Sequence, residues 1–231
     1  MLLDKIKSSY LLGYIDIHNP EKKLIDGKKL FPDNLRSSTT IKSLKIWFGS
    51  HPGGRVKSLL GIKIKYINYI TGEKKETDYQ GAKIEGMDVE VKELEIKEGD
   101  HLSKINIGFD DYITHIKFAT IKGEFIEFGI IIEDNEKQFV NELNSRNNII
   151  LNIKGYSDKN GIRAIGYDYL SFKDFCLIRW INLLRIRNYM KNEKYLQNLQ
   201  NEYTKFDIGM KSIFKTCRLP QSCFSIILSF I

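Results

Sequence analysis

Cysteine is scarce in this chain of 231 residues, which has only Cys176, Cys217 and Cys223, all in its last quarter. An odd number confined to one end excludes the paired-disulfide framework of small secreted domains and favours a reducing compartment. No apolar run approaches the roughly 20 residues needed to span a bilayer. The first residues also lack the apolar core of a signal peptide. We therefore expect an intracellular protein without a transmembrane segment.

Side chains that commonly carry catalysis are equally sparse. The spacings of the four histidines, His18, His51, His101 and His115, match no metal template. Carboxylate pairs such as Asp110-Asp111 have the ligand chemistry of a hard-cation site, but acidic residues in turns more often cap the turn and face solvent. No Ser/His/Asp or Cys/His arrangement is recognisable. The sequence therefore predicts a protein that is not an enzyme and needs no cofactor or metal.

Alternation of apolar and polar residues is the dominant pattern between residues 41 and 172. Ile62, Ile64 and Tyr66 alternate with lysines, and the same period recurs around Ile105 and Ile165. Glycine-containing turn signals separate these segments at intervals of about 8 to 15 residues, and no helical pattern intervenes. The pattern predicts an all-β sandwich, barrel or prism. It is preceded by residues 1–40, for which we expect an extended N-terminal arm with one strand.

Four segments of the β region resemble parts of a known family. The segments are Gly53–Leu59 with the strand after it, Glu93–Ile105, Ile113–Thr120 and Ile153–Tyr167. In this order they resemble the first glycine loop, the acidic turn with its strand, the central strand and the last glycine hairpin of jacalin-type lectin domains. The resemblance implies a β-prism of three small antiparallel sheets over residues 41–172. It also implies a protein that binds rather than catalyses.

The last hairpin departs from the family pattern at one position that bears on function. In sugar-binding members, an Asp directly before the final strand accepts hydrogen bonds from sugar hydroxyls, and the matching position here is Arg163. A guanidinium has donors and no acceptor, so it cannot replace that carboxylate. Asp158 lies in the same loop at a different spacing. The candidate glycan-binding residues are Gly53, Gly54, Gly155, Ser157, Asp158, Asn160, Gly161 and Arg163.

The C-terminal tail, residues 173–231, holds nearly all of the net charge of +7, because it has 10 Lys and Arg against 4 Asp and Glu, whereas residues 1–172 have 26 against 25. From about Asp174 apolar residues return at spacings of three, four and seven, which predicts an α-helical extension with a basic amphipathic start. Either this helix packs on the prism with its arginines in water, or it docks on an anionic membrane surface, a nucleic acid or an acidic protein partner. The candidate partner-binding residues are Arg179, Trp180, Leu184, Arg185, Arg187, Phe224 and Ile227.

Two functional hypotheses follow. In the first, which the Arg163 departure and the charged tail favour, the prism is a protein-interaction or structural subunit of an intracellular assembly, with an acidic protein partner held through the tail. In the second, the protein is a lectin that recognises glycans through the glycine loops. Nucleic-acid binding is disfavoured, because the basic stretch contains no recognised motif.

Overall fold

The computed structural model describes residues 6–13, 23–31, 38–50, 56–69, 71–129, 148–179 and 181. Their secondary structure consists of thirteen strands, a 3-10 turn at Gly27–Leu30 and a short helix, α1, at residues 172–179. The strands are β1 Lys7–Ser8, β2 Leu12–Gly13, β3 Lys23–Asp26, β4 Thr39–Ser50, β5 Ser58–Asn68, β6 Lys74–Glu76, β7 Gln80–Gly81, β8 Asp88–Glu95, β9 Leu102–Phe109, β10 Ile113–Thr120, β11 Phe125–Phe128, β12 Asn148–Asp158 and β13 Gly161–Ser171.

These strands form three separate antiparallel sheets, as the predicted β-prism requires. The first sheet has the order β1-β13-β12-β3, with β2 also beside β13. The second has the order β6-β5-β4-β8, with β7 also beside β5, and the third has the order β11-β10-β9. The fold expected from the sequence is therefore confirmed, and of the all-β alternatives the structure selects the prism.

The core lies where the inward faces of the three sheets meet. Ile62, Ile64 and Tyr66, picked out by their alternation, are at most 1% exposed, and the alternating residues Ile105 and Ile165 are buried with them. Within the described residues, the turn signals at Thr71-Gly72 and Lys122-Gly123 are also confirmed. Gly72 and Gly123 adopt positive φ angles of 72° and 93°, a conformation that glycine reaches without the steric cost of a Cβ.

The described residues of the N-terminal arm form three short strands, where one was expected, and all three extend the first sheet. A buried polar network ties this sheet to the second. The Asn152 side chain donates to Asp26 and Asp168, both at 3.1 Å, and accepts from the Tyr66 hydroxyl at 2.9 Å. Burial raises the pKa of Tyr66, which keeps its hydroxyl protonated as a donor.

Helix α1 follows β13 directly and begins two residues earlier than Asp174. Ser171 caps it, since its Oγ accepts a hydrogen bond from the Asp174 amide at 3.0 Å and donates to the Asp174 carboxylate at 2.6 Å. Phe175 and Ile178 of the helix pack on Ile149, Leu151 and Leu170 in a second apolar cluster. Residues beyond 181 of the predicted helical extension lie outside the described residues.

Candidate functional site

The tip of the β12–β13 hairpin is organised by the carboxylate of Asp158. Its Oδ1 accepts hydrogen bonds from the backbone amides of Asn160 at 2.8 Å and Gly161 at 3.2 Å. Asp residues favour such turns because the short side chain reaches the backbone two residues ahead. Its Oδ2 accepts from Arg163 Nε at 2.7 Å. Asp158 is 5% exposed, so this carboxylate serves the hairpin itself and is not presented to a ligand.

Arg163 joins this hairpin to the β9–β10 turn of the third sheet. Its Nη1 donates to the backbone carbonyl of Asp111 at 3.0 Å, and its guanidinium carbon lies 3.7 Å from the ring centroid of Tyr112. The Tyr112 hydroxyl in turn accepts from Asn160 Nδ2 at 3.1 Å. We refer to Asp111, Tyr112, Asp158, Asn160 and Arg163 as the hairpin cluster.

Gly161 is required where the hairpin meets the second sheet. Its φ is +145°, and a Cβ built on it would lie 2.8 Å from the carbonyl oxygen of Leu59. This contact brings the hairpin tip against the start of β5. The hairpin cluster, which joins the first and third sheets, therefore lies next to the second sheet as well.

Other predicted glycan-site residues are divided between the interior and the undescribed part of the chain. Gly155 and Ser157 are buried within β12, and a Cβ on Gly155 would meet the Ala164 carbonyl oxygen at 2.1 Å. Gly155 therefore allows two strands to approach closely. Gly53 and Gly54 lie outside the described residues.

Of the predicted partner-binding residues in the tail, only Arg179 falls within the described structure. Its guanidinium lies 5.0 Å from the ring centroid of Tyr69, and burial lowers its pKa. Helix α1 therefore packs on the prism, which is one of the two expected arrangements, but the Arg179 side chain is half-buried against Tyr69 and does not face water as that arrangement expected. The remaining candidates, which lie outside the described residues, are Trp180, Leu184, Arg185, Arg187, Phe224 and Ile227.

Two histidines occupy buried positions with different surroundings. His115 Nε2 lies 3.1 Å from Glu127 Oε1, and the same carboxylate pairs with Lys117 at 2.7 Å, which lowers the pKa of Glu127. His101 packs on Phe175 with ring centroids 4.8 Å apart, and burial lowers its pKa to about 3. Within the described ranges, no group of three His, Cys, Asp or Glu side chains is placed to bind a metal.

Sequence reasoning did not identify Asp111 and Tyr112 as parts of the hairpin cluster. The sequence indicated Asp110-Asp111 as a turn signal and as a carboxylate pair, and Tyr112 follows it without a periodic pattern. Asp111 and Arg163, which are in contact, lie 52 positions apart in the sequence. A contact of this kind follows from the closure of the prism and leaves no local signal.

No family model and no curated protein matches the sequence. Among solved structures, a Malaysian banana lectin is 18% identical, with 71% of this chain and 98% of that chain covered and a TM-score of 0.49. A mannose-binding jacalin-related lectin from Ananas comosus is 14% identical, with 72% and 99% covered and a TM-score of 0.47. A prostate-specific glycoprotein lectin is 20% identical, with 71% and 97% covered and a TM-score of 0.47. These values assign neither a ligand nor family membership to this chain.

No helix within the described ranges is long and apolar enough to cross a membrane. This finding covers α1, and the rest of the predicted helical extension lies outside the described residues.

Proposed function

We propose that this protein is a non-catalytic carbohydrate-binding module whose glycan site is the hairpin cluster. The observation that supports it most directly is the convergence of the Arg163 guanidinium, the Asn160 amide, the Tyr112 phenol and the exposed residue Asp111 at one end of the prism. Sugar hydroxyls both donate and accept, so a site for them needs both kinds of partner at fixed positions. The proposal adopts the lectin hypothesis over the subunit hypothesis.

Arg163 does not remove the acceptor from this site, because a second carboxylate is available. Asp111 is exposed, and its carboxylate has no hydrogen-bond or ion-pair partner among the described residues. The backbone of Asp111 is held by the Arg163 guanidinium. Asp111 thus supplies the acceptor, and Arg163 positions it and offers its outer N–H groups to the same ligand.

The rigidity of the cluster supports a binding role. The Asp158 contacts set the hairpin, the stacking of Arg163 on Tyr112 sets the neighbouring turn, and Asn160 connects the two. A site assembled before the ligand arrives loses less conformational entropy on binding. The Gly53-Gly54 segment, which the family resemblance implies as a second glycan loop, is proposed as a further contributor.

The test is a glycan array with the full chain, followed by titration of the strongest glycan. Asp111→Asn keeps the shape of the side chain and removes its charge. We expect it to weaken binding by about tenfold, since hydrogen bonds to charged groups contribute about 1.5 to 3 kcal/mol. The matched control is Asp78→Asn, which changes another exposed turn residue. Absence of glycan binding, or equal losses in both variants, would contradict the proposal.

A second candidate function, an interaction subunit anchored by the tail in an intracellular assembly, is favoured by one sequence observation. Ten of the 36 Lys and Arg lie in residues 173–231, with only 4 of the 29 Asp and Glu. Such an excess suits an acidic partner. Arg185→Glu with Arg187→Glu in the full chain would abolish capture of that partner from an extract, whereas Lys97→Glu with Lys122→Glu in the prism would not. Equal capture by both variants would exclude the tail as the anchor.

A further inference from the structure

The outer face of the second sheet carries aromatic and basic side chains that the hairpin cluster does not use. Along β4, the buried residues Leu44, Ile46 and Phe48 point into the core, so the alternate residues Lys45 and Trp47 face outward. Lys63 and Lys65 take the equivalent outward positions on β5. We define the outer-face patch as Lys45, Trp47, Lys63, Lys65 and Tyr79.

The aromatic part of this patch is held in one arrangement by a glycine. Trp47 pairs with Gly61 on β5, and the Tyr79 ring lies over Gly61 so closely that a Cβ there would be 2.3 Å from it. The two rings meet edge to face with centroids 4.9 Å apart. The Tyr79 hydroxyl donates to the carbonyl of Ala82 at 2.8 Å, and burial raises its pKa to about 12. The indole is therefore fixed on an outward face, with Tyr79 beside it.

The basic part of the patch places like charges side by side. Lys45 lies directly opposite Lys63, and Lys65 is the next outward residue along β5. Like charges at directly opposed positions destabilise an antiparallel pair. Lys63 is compensated by Glu76 at 2.7 Å. Lys45 and Lys65 form no ion pair in the described structure, and the Lys45 ammonium lies 5.5 Å from the Trp47 ring centroid.

Acidic residues border the patch and limit its size. Glu76 lies beside Lys65 on β6, while Glu93 lies opposite Lys45 and Glu95 opposite Ser43 on β8. The positive stretch is therefore bordered by carboxylates on both neighbouring strands. A continuous phosphate backbone would meet these carboxylates, and a single indole cannot stack successive bases.

We infer that the outer-face patch is a second binding site, which takes an acidic saccharide. A sugar ring would stack on the indole of Trp47, and its carboxylate or sulfate would lie among the ammonium groups of Lys45, Lys63 and Lys65. The anionic group of the ligand would add to the counter-charge that Glu76 and Glu93 already supply to these lysines. This inference goes beyond the proposed function, because it uses other residues and another class of saccharide.

The test uses the full chain and calorimetric titration of three probes: a heparin-derived octasaccharide, an uncharged malto-octaose and an oligouridine of eight nucleotides. The expected result is tighter binding of the heparin octasaccharide than of malto-octaose or oligouridine, and heparin binding that weakens as salt is raised from 50 to 300 mM. Lys45→Gln should weaken it about tenfold, and Trp47→Leu by at least as much. The control is Lys122→Gln, an exposed lysine on the β10–β11 turn of the third sheet.

Each contrary result has a definite meaning. Malto-octaose binding that Lys45→Gln weakens as much as heparin binding, equal losses in the Lys45 and Lys122 variants, or tighter binding of oligouridine would overturn the inference. If Trp47→Leu fails to fold, which its circular dichroism would show, Lys45→Gln still decides. Failure here is distinguishable from failure of the proposed function, because Asp111→Asn should leave heparin binding unchanged and Lys45→Gln should leave neutral-glycan binding unchanged.

Discussion

Arg163 Nε donates a hydrogen bond to Asp158 Oδ2 at 2.7 Å, so the residue that departs from the jacalin-type pattern is paired with the other charged residue of its own hairpin. The Asp158 side chain is 3% exposed and the Arg163 side chain 22%. A largely buried carboxylate needs such a partner, because an unpaired buried charge is costly. The fold of the hairpin therefore accommodates Arg163, which also changes the hydrogen-bonding groups that the hairpin can offer to a ligand.

Removal of the Arg163 guanidinium should destabilise the protein. Arg163→Ala leaves Asp158 with its two backbone donors and no counter-charge, and we expect a loss of about 1 to 3 kcal/mol in the free energy of unfolding, since the partial exposure of Arg163 moderates the effect. Urea unfolding measures it. In a double-mutant cycle with Asp158→Asn, the two losses should not add. Simple additivity would show that the pair is not coupled.

Substitution of Gly161 should cost more than substitution of a glycine in an open turn. Gly161→Ala meets both a positive φ and the Leu59 carbonyl oxygen, and we expect a loss of about 2 to 4 kcal/mol. Gly123 also has a positive φ but nothing within 4 Å of its missing Cβ, so Gly123→Ala should cost about 1 kcal/mol. Thermal unfolding of both variants gives the comparison. Equal costs would mean that the hairpin does not press against β5.

The stability of the protein should fall in acid partly because of His101. Burial lowers its pKa from 6.5 to about 3, so the unfolded chain binds a proton in this window that the folded protein excludes. His101 takes nothing from the free energy of unfolding above pH 6.5. As the pH falls from 6.5 toward 3, it lowers that free energy by about 1.4 kcal/mol per pH unit. The charged groups that act on it are Arg179, Asp100 and Lys122.

The measurement for His101 is the urea midpoint at pH 7 and pH 4.5 in the parent protein and in His101→Phe. Acidic side chains contribute to the pH dependence of both proteins, so the difference between them isolates the imidazole. We expect a smaller fall in the variant. An identical fall would show that His101 becomes protonated without disturbing the fold.

Helix α1 should depend on the side chain of Phe175. This ring contacts His101 and lies 5.7 Å from Tyr69, and it is 1% exposed. Phe175→Ala should cost about 3 kcal/mol. Leu177, 42% exposed on the same helix, is the matched control, and Leu177→Ala should change stability by less than about 0.5 kcal/mol. Comparable losses in urea unfolding would argue against docking of the helix through Phe175.

Several features of the fold could be predicted because they depend on neighbouring residues. The period-two alternation around Ile64 and Ile107 identified strands with one buried face, and glycines such as Gly99 marked turns that need a positive φ. The start of α1 was placed within two residues, although the Ser171 cap was not recognised. The N-terminal arm was read as having one strand because strands of two residues carry no detectable period.

By itself, the sequence determined the all-β class, the inward residues and the Arg163 departure, because each is set by residue type and by spacing over a few positions. Only the tertiary structure decided what these residues face. It placed Tyr112 under Arg163, Tyr79 over Gly61, and Lys45 against Lys63. Such contacts depend on strand register and on the closing of three sheets around one core, which no local pattern encodes.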